Sequence, residues 1–100
     1  MAIAASGLVQ QDEILERVKK LQELFANDPD VARIVPRFAE DWSGDYSLFI
    51  DVVLNSKTPT AATVSRLSKQ IDTALLRIVR SEELGLHSYP NFVSGPWNGQ

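Results

Sequence analysis

Residues 46–54 read YSLFIDVVL, and their alternation decides the fold. In an extended chain Tyr46, Leu48, Ile50, Val52 and Leu54 fall on one face, and Ser47, Phe49, Asp51 and Val53 on the other. The even-numbered face is the core face. The preceding stretch, VARIVPRFAEDW at residues 31–42, repeats the period. There Ala32, Ile34 and Phe38 point one way, and Arg33, Val35, Arg37 and Ala39 the other. Ser43-Gly44-Asp45 supplies turn chemistry between the two runs. The reading is an antiparallel hairpin that keeps even with even, because a slip of one residue would expose one strand's hydrophobic side chains. A register pairing Phe38 with Ile50 satisfies this and sets Arg37 opposite Asp51. Pro36 has no N–H for a ladder, so the first strand is expected at the sheet edge or bulged at that point.

The odd-numbered face carries the functional question. Its centre is Arg37 with Asp51, and Val35, Ala39, Phe49 and Val53 surround them. A solvated antiparallel face is mostly polar. This one is half apolar, which points to a cover. The candidates are another protein chain and the C-terminal tail, where Trp97 would be the anchor. Asp45 and Asp51 are six residues apart, one in the turn and the other in the middle of the second strand. Asp51 is therefore expected to face an arginine, a cross-strand pair worth about 0.2–1 kcal/mol, and not a metal ion.

Helices flank the hairpin. Residues 11–29, QDEILERVKKLQELFANDP, place Ile14, Val18, Leu21 and Phe25 at helical spacing, with Leu15 and Leu24 beside them. Glu13–Arg17 and Glu16–Lys20 are acid-before-base pairs four apart. Pro29 ends the helix, and Ser6 or Asp12 could cap its start. Residues 58–85 form the stronger helix, with Thr58 as cap and Pro59 in its first turn. Val64, Leu67, Ile71, Leu75 and Ile78 make its stripe, and Gly85 is placed to end it. Arg66, Lys69, Thr73, Arg77 and Arg80 align as a basic ridge on its outer face. That ridge is either solvated or a contact for acidic or phosphate groups. Residues 86–93 supply a short third strand that contains Pro90.

The order helix, hairpin, helix, short strand predicts an α+β two-layer sandwich, with two helices on one face of a three-stranded, antiparallel-type sheet. One domain over residues 1–100 is expected, with loose tails at 1–10 and 94–100. At 100 residues and 44% hydrophobic, the chain can build a core without staples. It has no cysteine, which excludes disulfides and thiolate chemistry, and its single histidine, His87, argues against a histidine metal site. No cofactor or metal is expected. The formal charge of −3 argues against a dedicated nucleic-acid binder. The absence of a targeting or spanning segment points to a cytoplasmic protein without a membrane partner.

Residues 12–93 resemble minimal nucleotidyltransferase domains, including those that act as antitoxins, in element order and in a Gly-Asp turn before an apolar strand. Those domains carry a Gly-Ser pair at the end of the first strand, followed by two aspartates one residue apart. Here the first strand ends in Glu40-Asp41-Trp42, the Gly-Ser order is reversed as Ser43-Gly44, and the Asp-x-Asp place reads Asp45-Tyr46-Ser47. Two-metal chemistry needs carboxylates that converge on paired ions. The resemblance therefore implies the fold without the catalysis.

The expected function is that of a non-catalytic interaction module, not an enzyme. It would be a homodimer or a small, antitoxin-like accessory subunit of a bacterial two-protein system. Its partner, itself or a larger protein, would dock on Val35, Arg37, Ala39, Phe49, Asp51 and Val53, with Trp97. The alternatives are a nucleotide- or metal-binding enzyme using Glu40, Asp41 and Asp45, and an RNA binder using Arg66, Lys69, Arg77 and Arg80.

Overall fold

In a computed structural model, backbone is described for residues 2–94 and side chains for residues 11–94. Residues 95–100, and with them the role of Trp97, fall outside the described residues, whereas residues 2–10, expected as a loose tail, have helical backbone. Helix α1 spans Ala2–Leu24, strand β1 Val31–Glu40, strand β2 Tyr46–Leu54, helix α2 Ala61–Ala74 and strand β3 Ser88–Val93. Ser6 and Asp12 both lie within α1, so neither caps it. Among the described residues, no helix is long and apolar enough to cross a membrane.

The sheet order is β1-β2-β3. β1 and β2 are antiparallel, but β2 and β3 are parallel, so the sheet is mixed and not of antiparallel type. The cause is the connection. Between Leu54 and Ser88 the chain crosses over through α2 and re-enters the sheet from the same end, as parallel neighbours require. β1 is an edge strand, as Pro36 implied.

The hairpin register also differs from the expected one. Phe38 pairs with Leu48, Pro36 with Ile50, and Glu40 with Tyr46. The turn sets this. Gly44 N–H donates to the Asp41 carbonyl at 3.0 Å, and Asp41 N–H donates to the Asp45 carbonyl at 2.8 Å. Gly44 sits at φ 89°, the left-handed residue that closes a three-residue hairpin loop. Asp41 is thus the first residue of the turn, two residues earlier than Ser43, and every pair moves accordingly. A second irregularity, between Val31 and Arg33, breaks the parity. Val31 is buried and Ala32 is exposed, the reverse of the expectation for Ala32.

The even face builds the core. Leu48, Ile50, Val52 and Leu54 of β2 pack with Ile14, Val18, Leu21 and Phe25 of α1 and with Leu67, Ile71 and Ala74 of α2. Both helices therefore cover the same sheet face. Gln22 of α1 also donates to the Ile34 carbonyl at 2.8 Å, tying α1 to β1.

Helix α2 begins two residues later than expected. Thr60, not Thr58, is the cap, and its hydroxyl oxygen accepts from Thr63 N–H at 3.1 Å. The helix does not run unbroken to Gly85. A wider π turn spans Leu75–Val79, closed by Arg80 N–H on the Leu75 carbonyl at 2.8 Å. Arg80 lies in the left-handed region at φ 46°, and a short 3₁₀ turn at Ser81–Leu84 ends on Gly85 at φ 78°. Arg17 of α1 secures this break. Its Nη1 donates to the carbonyls of Val79 and Arg80 at 3.0 and 3.2 Å, and its Nε to Glu13 at 3.1 Å. Side chains of one helix thereby satisfy the orphan carbonyls at the end of the other.

Candidate interaction face

The helix-free face of the sheet is organised in rungs. Arg37, Phe49 and Tyr89 are cross-strand neighbours in one rung; Val35, Asp51 and Asn91 form the next; Arg33, Val53 and Val93 form the third. Odd residues of three strands share a face because the pleat has a period of two.

The first rung is a row of π systems. The Arg37 guanidinium lies 4.9 Å from the centre of the Phe49 ring. Phe49 is 5.4 Å from Tyr89, and Tyr89 is 4.9 Å from Trp42, both pairs tilted. Such geometries are worth about 0.5–1.5 kcal/mol for each aromatic pair beyond area burial. Trp42, in the hairpin turn, is 81% exposed. It extends the row past the edge of the strands into solvent.

The second rung is ionic. Asp51 accepts from Arg37 Nε at 3.0 Å, from Arg37 Nη2 at 3.2 Å and from Asn91 Nδ2 at 3.1 Å. The Arg37 hydrogen bonds hold the Asp51 carboxyl below its ordinary pKa, against the opposing effect of burial, and the Asn91 bond adds to them. The same pair raises the Arg37 pKa. The partnership is the expected one, but the two residues are diagonal: Arg37 stands opposite Phe49, and Asp51 opposite Val35.

The apolar residues of the face are unequal. Val35 is 38% exposed, Ala39 and Phe49 are half-buried, and Val53 is only 7% exposed although it lies outside the helix-side core.

Asp41 anchors the end of this face. Its Oδ1 accepts from Ser43 N–H at 2.9 Å, Ser43 Oγ at 2.6 Å and Asp45 N–H at 3.1 Å. Its Oδ2 accepts from Ser47 Oγ at 3.0 Å and the Tyr89 hydroxyl at 3.1 Å. The Ser43 hydroxyl, more than any other donor, holds the Asp41 carboxyl far below the usual range. Burial first, and then the hydrogen bond to Asp41, push the Tyr89 phenol up. Each Asp41 oxygen is occupied in building the turn and fixing Tyr89. Glu40 and Asp45 are exposed, and Asp45 Oδ2 shares the Ser43 hydroxyl with Asp41, accepting from it at 3.3 Å. Among the described residues, no group of three His, Cys, Asp or Glu side chains is placed to hold a metal ion. His87 is exposed, 6.4 Å from the Tyr89 ring.

Compared with known protein families, curated proteins and solved structures, the chain matches none.

The residues of the basic ridge have different surroundings. Arg66 clamps the loop after α1, donating to Asp28 at 3.0 and 3.3 Å and to Asp30 at 2.6 Å. Asp28 is lowered in pKa chiefly by that contact. Arg80 sits in the broken helix end, 3.5 Å from Glu83. Lys69 and Arg77 face a groove between the helices.

The sequence reading omits Trp42, Tyr89 and Asn91 from the face. Tyr89, Asn91 and Val93 do alternate, but their parity has meaning only once β3 is paired with β2. The signal for Trp42 was the Asp at the start of a type I turn with Gly in its last place, which puts Trp42 at the tip.

Proposed function

We propose that this protein is a non-catalytic interaction module that docks another protein chain on the helix-free face of its sheet, and that the first such partner is a second copy of itself. The observation that carries the reading is the row Arg37–Phe49–Tyr89–Trp42, which ends in a tryptophan 81% exposed. Trp, Tyr and Arg dominate binding energy at protein interfaces, because each joins a large contact area to a directed polar group. The row is pre-organised by Asp41 and Asp51, so little side-chain ordering remains to be done on docking.

The choice of a second copy rests on charge. The face carries both signs, Arg37 and Asp51, side by side at its centre. A two-fold axis through that centre brings each sign of one copy toward the opposite sign of the other, as an isologous interface requires. A role as a small accessory subunit of the antitoxin type belongs to the same proposal, with a larger protein in place of the second copy.

The test is molecular mass in solution by light scattering, for the wild type, Trp42→Ala and Phe49→Glu. The reading expects an association that both substitutions weaken while circular dichroism stays unchanged.

A further inference from the structure

We propose a second docking site, on the opposite side of the molecule: the groove between the C-terminal turns of α1 and helix α2 takes an acidic amphipathic helix of a partner protein. The groove has a volume of about 560 Å³. Its floor is apolar, built from Phe25, Ala74 and Ile78, with Leu24 on the lip at 60% exposed. Lys69 and Arg77 stand along one wall. They are eight residues apart, Lys69 in α2 and Arg77 in the π turn that follows it, so they stand at most about 12 Å apart along the axis, the limit set by 1.5 Å per residue in an α-helix.

The charge decides the occupant. The chain as a whole carries −3, yet this groove presents two cations that make no ion pair among the described residues. The one carboxylate in its lining, Asp28, is already taken by Arg66 at 3.0 Å. Two carboxylates about two turns apart on a partner helix match the separation of Lys69 and Arg77. An apolar stripe between them would cover Leu24 and Ile78, the helix-in-groove mode of recognition. A fatty acid has a single carboxylate and could reach only one cation. A nucleic-acid strand offers no aliphatic surface for the floor.

The test uses the whole chain and a fluorescein-labelled synthetic helical peptide of about 15 residues, long enough to hold some helix. It carries leucines on one stripe and two glutamates spaced to meet Lys69 and Arg77. Fluorescence anisotropy is expected to show binding at least about tenfold tighter than for a scrambled peptide of the same composition or for one with glutamine at both glutamate positions. Lys69→Glu with Arg77→Glu is expected to remove that advantage, and Leu24→Ala to weaken it. Both sets of residues are exposed, so folding is checked by circular dichroism, and Leu24→Ala keeps the test decisive if the charge reversal unfolds the chain. Trp42→Ala, on the opposite face, is expected to leave peptide affinity unchanged, which separates this site from the sheet face. Equal affinity for the scrambled peptide, indifference to all groove substitutions, or displacement of the peptide by laurate or by a short RNA at lower concentration would overturn the proposal.

Discussion

Arg37 and Asp51 meet diagonally across β1 and β2, joined by two hydrogen bonds at 3.0 and 3.2 Å, although neither is the other's ladder partner. The long guanidinium reaches over Phe49 to do so, which couples the ionic rung to the aromatic one. A double-mutant cycle of Arg37→Ala and Asp51→Ala in urea is expected to give a coupling of about 0.2–1 kcal/mol, typical of cross-strand pairs on a solvated surface. A coupling of zero would mean that the diagonal contact is not held in solution.

Acid should unfold the protein through its bonded carboxylates. Asp28, Asp41 and Asp51 all have folded-state pKa values below the ordinary one. A group depressed on folding contributes stability that is complete above its unfolded pKa, about 3.9 for Asp, and is lost as pH falls through the folded value. Thermal melts are therefore expected to hold steady through neutral pH and to fall below about pH 4, with Asp41→Asn reducing that dependence. A melting temperature that rises on acidification would contradict the network.

Helix α2 should separate core from clamp. Leu67 and Ile71 are fully buried, so Leu67→Ala or Ile71→Ala is expected to cost about 2–5 kcal/mol. Arg66 looked like a solvated ridge residue in the sequence. Because it bonds Asp28 and Asp30, Arg66→Ala is expected to lower the urea midpoint more than Lys69→Ala does. Equal midpoints for the two variants would remove the clamp from the account.

Arg80 is held at φ 46°, where a side chain costs roughly 1–2 kcal/mol. Arg80→Gly is expected to recover about 1 kcal/mol in urea melts, since the contact it gives up, to Glu83, is exposed and long. A destabilised variant would mean that the Arg80 side chain matters more than its backbone.

The legible part of the fold was the part written in short periods. Even parity on β2 and the spacing of Ile14, Val18, Leu21 and Phe25 located the core, and Pro36 located an edge. What failed needed geometry that spacing does not carry. Asp41, not Ser43, opens the turn because its carboxylate can collect the Ser43 and Asp45 N–H groups, and this moved the register by two. The direction of β3 depends on where α2 returns the chain, which no local pattern in residues 86–93 encodes. The face was half legible for the same reason. Arg37, Phe49 and Asp51 lie on the hairpin, whereas Tyr89 and Asn91 join only through long-range pairing. Arg66 and Lys69 look alike in sequence, and only the approach of Asp28 and Asp30 distinguishes them.

Light scattering of the wild-type chain against Trp42→Ala tests the docking face most directly. Trp42 is 81% exposed and its replacement should leave the fold intact. The account expects a wild-type mass that rises with concentration toward twice 11.1 kDa, and a Trp42→Ala mass that stays lower at every concentration. A wild type that remains at 11.1 kDa throughout, or an association that Trp42→Ala leaves untouched, would contradict it.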